Sequence, residues 1–235
     1  MKKSKDRYSE SVTLRIALEA VSLSRPKVIT ADSATIRPFV TKCLSGKSDI
    51  VFLGIDPGLL PLTVSLIVWR KGKRRDIYTI GLSAKRTGKS WQNRFFRVTK
   101  LATGVGEILS AVKAVGCKFY VAIEGYSHGS SGTAIQTLAE IKQAVLQQIY
   151  KYCNLEDVLL LPPTTWKACL AEGAGGYDKE GVQSLLIEKW PVLKSFGADH
   201  NKYDSYAMAS VYEQIIRHRA TCDTAAQNLM EREEL

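Results

Sequence analysis

The sequence predicts an α/β domain with a five-stranded mixed sheet flanked by helices. Three observations carry this prediction: apolar runs of strand length, longer segments with helical spacing, and the alternation of the two along the chain. Hydrophobic residues make up 45% of the 235 residues and charged residues 24%, which is typical of a chain that buries a sizeable core. No window of eighteen uncharged apolar residues occurs, so a membrane span is excluded.

Five segments have the length and composition of strands. The first, IVFLGI at 50–55, is continuously apolar and leads into Asp-Pro-Gly, which predicts a buried strand followed by a turn. The next two, 62–70 and 76–83, are separated by a short basic turn, so the first three strands are expected to form an antiparallel meander. The fourth and fifth strands are predicted at 118–125 and 157–163.

Five segments show the apolar spacing of helices. In the longest, Val98, Leu101 and Val105 recur at intervals of three and four residues. The predicted helices span 90–115, 132–153, 164–171, 179–190 and 200–219. Because they follow or separate the last strands, they are expected to cover the faces of the sheet.

The two ends of the chain are predicted to lie outside this domain, which spans 50–219. Residues 1–49 are interpreted as a basic extension, with an amphipathic helix at 8–24 and prolines that break the pattern. The acidic tail 220–235 is expected to be disordered or to contact a partner. No apolar segment of a secretory signal follows the basic N-terminus, so we expect a cytoplasmic protein.

Cysteine and histidine usage argues against a zinc site. The five cysteines are scattered and odd in number, which favours reduced thiols, and the three histidines form no cluster of zinc-binding spacing with them.

The positive charge is concentrated in one region. The net charge is +10 and the isoelectric point about 9.4, and residues 70–100 hold eleven Lys and Arg against one Asp. Such a segment indicates a polyanionic partner, although a solubilising surface is equally compatible with charge density alone. Phe95 and Phe96 are expected in the core, and Trp91 either stacks on bases or is buried. The basic residues predicted to contact DNA phosphates are Arg74, Arg75, Lys85, Arg86, Lys89, Arg94 and Arg97.

Three acids follow or begin predicted elements. Asp56 ends the first strand, Glu124 ends the fourth, and Asp204 lies in the first turns of the last helix. Carboxylates brought together at the carboxyl ends of strands repel one another unless a cation neutralises them, and oxygen ligands favour Mg²⁺ or Mn²⁺. Two such ions support phosphodiester hydrolysis. Taken singly, each acid is explained by a turn, a lysine partner or an exposed helix position.

Four motifs resemble those of the RuvC-type Holliday junction resolvases, which belong to the ribonuclease-H-like superfamily. Their order and spacing match over about residues 50–217. The motifs are GIDPG (54–58), VAIEG (121–125), LPPTTWKACLAEGAGGYDKEGVQSLL (161–186) and DHNKYDSYAMA (199–209). The resemblance implies a ribonuclease-H-like fold.

The resemblance also implies roles for individual residues. Asp56, Glu124 and Asp204 would be metal-binding catalytic carboxylates. The family has a fourth ligand one helical turn before the last aspartate, where this chain offers His200, Asn201 or Asp199, and His200 is favoured. Lys167 and Lys179 occupy the positions of lysines near the scissile phosphate, with solvated helix charges as the alternative. Tyr126 follows the fourth strand. In the family an aromatic residue just after this strand inserts at the junction centre, so the resemblance implies that role for Tyr126.

The expected function is a Mg²⁺-dependent endonuclease that resolves four-way DNA junctions with two metal ions, leaving 5′-phosphate and 3′-hydroxyl ends. By family analogy we expect a homodimer, formed through helix 132–153 unless its apolar residues belong to the core. The alternatives are a related nuclease acting on flaps, branched DNA or RNA–DNA hybrid, and an inactive nucleic-acid-binding protein. The divergent motifs point to a phage or mobile-element product.

Overall fold

Six strands form a single mixed sheet among the residues that the computed structural model describes. The structure describes residues 24–31, 33–45, 50–58, 61–70, 73–85, 88, 90–125, 133–170 and 177–233. The strands are β1 (Lys27–Ala31), β2 (Ile50–Asp56), β3 (Leu62–Arg70), β4 (Lys73–Leu82), β5 (Lys118–Glu124) and β6 (Val158–Leu161). Their order in the sheet is β1-β4-β3-β2-β5-β6.

Six helices accompany the sheet within these ranges. They are α1 (Ser33–Leu44), α2 (Trp91–Val115), α3 (Thr133–Tyr152), α4 (Pro163–Leu170), α5 (Lys179–Lys189) and α6 (His200–Glu233). Short 3₁₀ turns at Leu155–Asp157 and Pro191–Phe196 precede β6 and α6. None of these helices is long and apolar enough to span a membrane.

The helices cover both faces of the sheet. Alternation along β2 shows the division, because Leu53 packs in the apolar cluster of α1, α2 and α3, whereas Phe52 packs in that of α4, α5 and α6. Both residues are almost fully buried. The domain therefore has three layers, with the sheet in the middle, and the predicted fold class is confirmed.

The predicted count of five strands is wrong by one. Residues 27–31, placed in the N-terminal extension by the sequence, pair in parallel with β4 and form the sheet edge. The strand is short, partly exposed and preceded by Pro26, so its apolar pattern is weak. Helix α1 follows and contains Pro38, which is exposed on its solvent side and is tolerated there. The helix predicted at 8–24 lies almost entirely outside the described residues.

The other predicted elements are present with bounds shifted by a few residues. The first three strands of the prediction form the expected antiparallel meander of β2, β3 and β4. The last helix is longer than predicted, because α6 continues to Glu233 and includes most of the segment predicted as a tail.

The strand directions bring several strand ends to one edge of the sheet, which we call the carboxyl edge. Asp56 at the end of β2 pairs with Thr63, Leu82 at the end of β4 pairs with Leu62, and Glu124 at the end of β5 pairs with Leu161 at the end of β6. Strand β1 also ends at this edge, because its last residue, Ala31, pairs with Leu82. Helices α1, α2, α3 and α4 each follow a strand that ends there, so all four begin at this edge.

Candidate active site

Two of the three predicted carboxylates lie side by side at the carboxyl edge. Strands β2 and β5 are parallel neighbours with Ile55 opposite Ile123, so Asp56 and Glu124 end adjacent strands in the same register. Asp56 is buried and Glu124 half-buried. The sequence places them there because each acid directly follows an apolar strand, and the carboxyl ends of parallel strands share an edge.

The third carboxylate is brought to this edge by close packing of α6 on β2. A Cβ atom at Gly54 would lie 1.9 Å from the Ser205 carbonyl oxygen, so only glycine allows the two backbones to approach this closely. Buried hydroxyl groups hold the same contact, with Ser65 Oγ 2.8 Å from Ser205 Oγ and 3.0 Å from Thr79 Oγ1. Asp204 directly precedes Ser205 and therefore lies near Asp56.

Burial makes all three carboxylates costly to ionise, and neighbouring negative charge adds to the cost for Asp56 and Glu124. Burial raises the pKa of Asp56 well above its usual value, and the negative charges of Glu124 and Asp204 raise it further. Burial also raises the pKa of Glu124 and of Asp204, and the charge of Asp204 adds to the effect on Glu124. The side chain of Trp166 lowers the pKa of Glu124 and so acts against burial. Its buried Nε1 nevertheless has no hydrogen-bond partner of regular geometry among the described residues. This is the electrostatic environment that a bound cation relieves.

The two lysines singled out from the sequence face the carboxylates. The positive charges of Lys167 and Lys179 both lower the pKa of Asp204, and Lys179 also lowers that of Asp56. Lys167 Nζ donates a hydrogen bond to the Tyr177 carbonyl, 2.9 Å away, which ties α4 to the residues before α5. Lys179 is exposed and is the first residue of α5, whose N-cap is Asp178.

A third lysine of the site, Lys142 of α3, is not among the residues predicted from the sequence. It is 6% exposed, and its Nζ donates a hydrogen bond of 2.7 Å to the carbonyl of Gly125, the residue after Glu124. Burial lowers the pKa of Lys142, whereas the charges of Glu124 and Asp56 oppose that shift. A signal was present, because Lys142 interrupts the apolar stripe that α3 buries.

The candidates for a fourth ligand differ in their surroundings. His200, one turn before Asp204, lowers the pKa of that carboxyl, and its buried Nδ1 lacks a hydrogen-bond partner among the described residues. Asn201 Nδ2 donates to the Pro61 carbonyl, 3.3 Å away, on the loop after β2. Asp199 is bound to Lys202, with an N–O distance of 3.4 Å. Of the three candidates, His200 is therefore the one whose ring nitrogen Nδ1 is best placed to bind a metal ion.

The chemistry of these side chains fits a divalent cation. As the side chains stand, no three His, Cys, Asp or Glu residues in the described ranges form a compact metal-binding cluster. The fit rests instead on three buried or half-buried carboxylates with hard oxygen donors, two of which raise the pKa of Asp56, and on Nδ1 of His200, which has no partner among the described residues.

The basic residues predicted to bind DNA are divided between opposite edges of the sheet. Arg74 pairs with Trp69 near the start of β4, so Arg74 and Arg75 lie roughly 20 Å from the carboxyl edge, about six strand residues away. Lys85 follows the end of β4 and is exposed at the carboxyl edge. The side chains of Arg74 and Arg75, and all of Arg86, Lys89 and Tyr126, lie outside the described part of the structure.

Two arginines of α2 make contacts within the protein. Arg94 Nε lies 3.1 Å from a carboxylate oxygen of Glu140 in α3, and Arg97 Nε donates to the Ala84 carbonyl at 3.3 Å. The expectation that Phe95 and Phe96 belong to the core is wrong, because both rings are exposed together with Trp91. Their helix face points outward at the first turns of α2, away from the described core.

Comparisons with known proteins support the fold through structure alone. No protein-family model matches the sequence, and no curated protein sequence matches it. RuvC from Thermus thermophilus aligns with 72% of this chain and 96% of its own, at 23% sequence identity and a TM-score of 0.52. T. thermophilus RuvC in complex with a Holliday junction substrate aligns at the same identity and TM-score over 72% of this chain and 95% of its own.

A further structure similar to the chain is that of the yeast mitochondrial Holliday junction resolvase. It aligns with 80% of this chain and 91% of its own, at 14% identity and a TM-score of 0.41. The RuvC structures and the strand order together confirm, for the fold, the resemblance predicted from the four motifs: this chain has the ribonuclease-H-like fold of the RuvC proteins.

Proposed function

We propose that this protein is a divalent-metal-dependent DNA endonuclease that resolves four-way junctions. The observation that carries the proposal is the convergence of Asp56, Glu124 and Asp204 from β2, β5 and α6 at the carboxyl edge. The RuvC fold supports it, because one of the similar structures is a RuvC bound to a Holliday junction substrate.

The carboxylates would hold one or two Mg²⁺ or Mn²⁺ ions, with His200 as the preferred fourth ligand and Asn201 as the alternative. When bound, such ions supply an activated water and a stabilised leaving oxygen for phosphodiester hydrolysis. In the balanced reaction a water oxygen bonds to phosphorus, the bond from phosphorus to the 3′ oxygen breaks, and that oxygen takes a proton. The products carry a 5′-phosphate and a 3′-hydroxyl.

The lysines of the site act on charge and on position. Lys167 and Lys179 lie close enough to the carboxylates to stabilise the negative charge that develops on the phosphate. Lys142 holds the backbone directly after Glu124 through its bond to the Gly125 carbonyl. It thereby fixes the end of β5, from which Glu124 projects.

Resolution of a junction requires two nicks, so we also propose a homodimer. The apolar residues of α3 contribute little to such an interface, because Ile141 and Val145 are fully buried in the core and Ile135 and Leu138 are half-buried. The outward face of α3 carries exposed polar residues such as Gln143 and Gln147.

The decisive test uses a synthetic four-way junction with each strand labelled in turn. Wild-type protein with Mg²⁺ should nick two strands at positions related by symmetry, and Asp56→Asn or Glu124→Gln should lower the rate by more than about 100-fold. The matched control is Asp157→Asn, which directly precedes β6 and lies near Lys118 at the start of β5, away from the carboxyl edge, and this variant should cleave normally.

The substrate comparison separates this activity from related ones. Junction, flap, duplex and RNA–DNA hybrid are cut at equal salt, because phosphate contacts are strongly salt-dependent. Faster cutting of the flap or hybrid than of the junction would contradict junction resolution. Full cleavage by both carboxylate variants would show that the site is wrong.

A further inference from the structure

Three large aromatic side chains lie exposed on the first two turns of α2. Trp91 is 67% exposed, Phe95 65% and Phe96 61%, and we call these three residues the aromatic ridge. Soluble proteins seldom expose adjacent large apolar side chains unless the patch contacts a ligand or partner. The core does not require the rings, because α2 buries other residues, among them Val98, Leu101 and Val105.

The aromatic ridge lies at the same edge of the sheet as the candidate active site. Strand β4 ends at Leu82, which pairs with Leu62 at the carboxyl edge, and α2 begins eight residues later. Its N-cap, Ser90, accepts a hydrogen bond of 3.3 Å from the Asn93 backbone N–H, which fixes the start of the helix. The ridge therefore lies near the carboxyl edge, where β2 ends with Asp56.

A cleft runs beside the ridge between α2 and α3. Its volume is about 560 Å³, and Trp91 and Phe95 line one wall while Gln143 and Gln147 line the other. A cavity of this volume accepts a flat heterocycle. The aromatic rings offer stacking surfaces, and the side-chain amides offer donors and acceptors for the edges of a base.

The charges around the ridge favour nucleic acid over a second copy of the chain. Residues 85–100 hold six Lys and Arg and no acid, and Glu140, the acid among the described residues that line the cleft, is paired with Arg94. A two-fold contact through this face would place the same basic segment against itself, whereas a polyanion is attracted to it. Aromatic residues interleaved with cations are the combination that binds unpaired nucleotides.

We propose that the aromatic ridge stacks on unpaired bases of the DNA branch while the neighbouring cations contact its phosphates. The inference rests on the proposed function for the identity of the substrate. It adds a second contact region, on α2, to the candidate site formed by β2, β5 and α6. The ridge recognises unstacked bases, which are found where a duplex branches or opens.

The test measures binding in EDTA, so that no cleavage occurs and the carboxylates are not involved. The probes are a synthetic four-way junction and oligothymidine. Trp91→Ala and Phe95→Ala should each weaken binding about 10-fold, because each removes the aromatic surface on which one base stacks. The dependence of affinity on salt should stay unchanged, because the lost contact is not ionic.

Fluorescence gives an independent readout of the same contact. Bases stacked on Trp91 should quench its emission, and Trp91→Phe should remove the quench while keeping the affinity. The control is Tyr150→Ala, another exposed aromatic residue (54%) at the far end of α3. Its affinity should equal that of wild type.

The outcomes separate this inference from the proposed function. Unchanged affinity of Trp91→Ala and Phe95→Ala, with no quench in wild type, would overturn the inference. Conversion of a dimer to monomers by Phe95→Ala, observed by sedimentation, would also overturn the inference, since the ridge would then be a protein interface. Asp56→Asn should still bind and quench. If Asp56→Asn also cleaves normally, the proposed function fails while the ridge result stands.

Discussion

Replacing Gly54 with alanine is expected to separate α6 from β2 and to misplace Asp204. The added Cβ would lie 1.9 Å from the Ser205 carbonyl oxygen and 2.6 Å from the Ala209 nitrogen. An unstrained carbon–oxygen contact is about 3.3 Å, so the two backbones must move apart by roughly 1.4 Å. Both contacted atoms are backbone atoms, which no rotamer change can move.

The expected magnitudes follow from that displacement. Overpacking of this kind costs about 1–3 kcal/mol, and the upper value applies because the clash is with a helix backbone. For a domain of this size about 3 kcal/mol lowers the melting temperature by roughly 6–12 °C. A shift of about 1 Å in a catalytic group lowers the rate by about 100-fold.

The assay combines thermal unfolding with single-turnover cleavage of a four-way junction. Gly81→Ala is the matched control, because Gly81 is also a buried strand glycine but its Cβ would meet no atom of the described residues closer than 3.7 Å. The control should melt and cleave like wild type. A Gly54→Ala protein with the wild-type melting temperature, or a less stable one with full activity, would refute the reasoning.

Two further predictions concern the charges of the site. Lys142→Met removes the hydrogen bond to the Gly125 carbonyl and a positive charge beside Glu124. We therefore expect the free energy of unfolding to fall by about 1–3 kcal/mol and cleavage to become slower. Denaturant titration and single-turnover kinetics measure the two effects. Because the carboxyl pKa values are raised in the folded protein, metal-free stability from these groups is highest when they are protonated and falls as pH rises through the folded pKa values. Mg²⁺ should therefore raise the melting temperature more at pH 8 than at pH 5.

Each of these predictions has its own control. Lys151→Met changes an exposed lysine of the same helix and should leave stability and rate unaltered, and equal effects of the two variants would contradict the role of Lys142. In Asp56→Asn the extra stabilisation by Mg²⁺ at pH 8 should shrink. A Mg²⁺ effect that is equal at both pH values in wild type would show that these carboxylates do not bind the ion.

Most of the fold could be predicted because burial imposes a visible period on the sequence. The continuous apolar run of β2 and the spacing in α2 mark their elements within a residue or two. Strand β1 could not be predicted in this way, since an exposed edge strand of five residues has no regular apolar pattern. The rule that large apolar side chains are buried also gives the wrong prediction for Phe95 and Phe96, which are exposed.

The placement of the carboxylates could be predicted, but their supporting contacts could not. Asp56 and Glu124 follow apolar strands, so the topology alone brings them to one edge. The position of Lys142 depends on which face of α3 meets the end of β5, and a lysine is ordinarily assigned to solvent. The close approach at Gly54 requires the three-dimensional path of α6, which no local pattern contains.

The common origin of the helices has an electrostatic consequence. Helices α1 to α4 begin at the carboxyl edge, and α5 and α6 begin with Lys179 and His200, which both lie near Asp204. Each helix start carries a partial positive charge of about half an elementary charge, from peptide dipoles that do not titrate. These helix starts therefore add a local attraction for phosphate at the carboxyl edge, within the first turn of each helix, that does not depend on the protonation or substitution of any lysine.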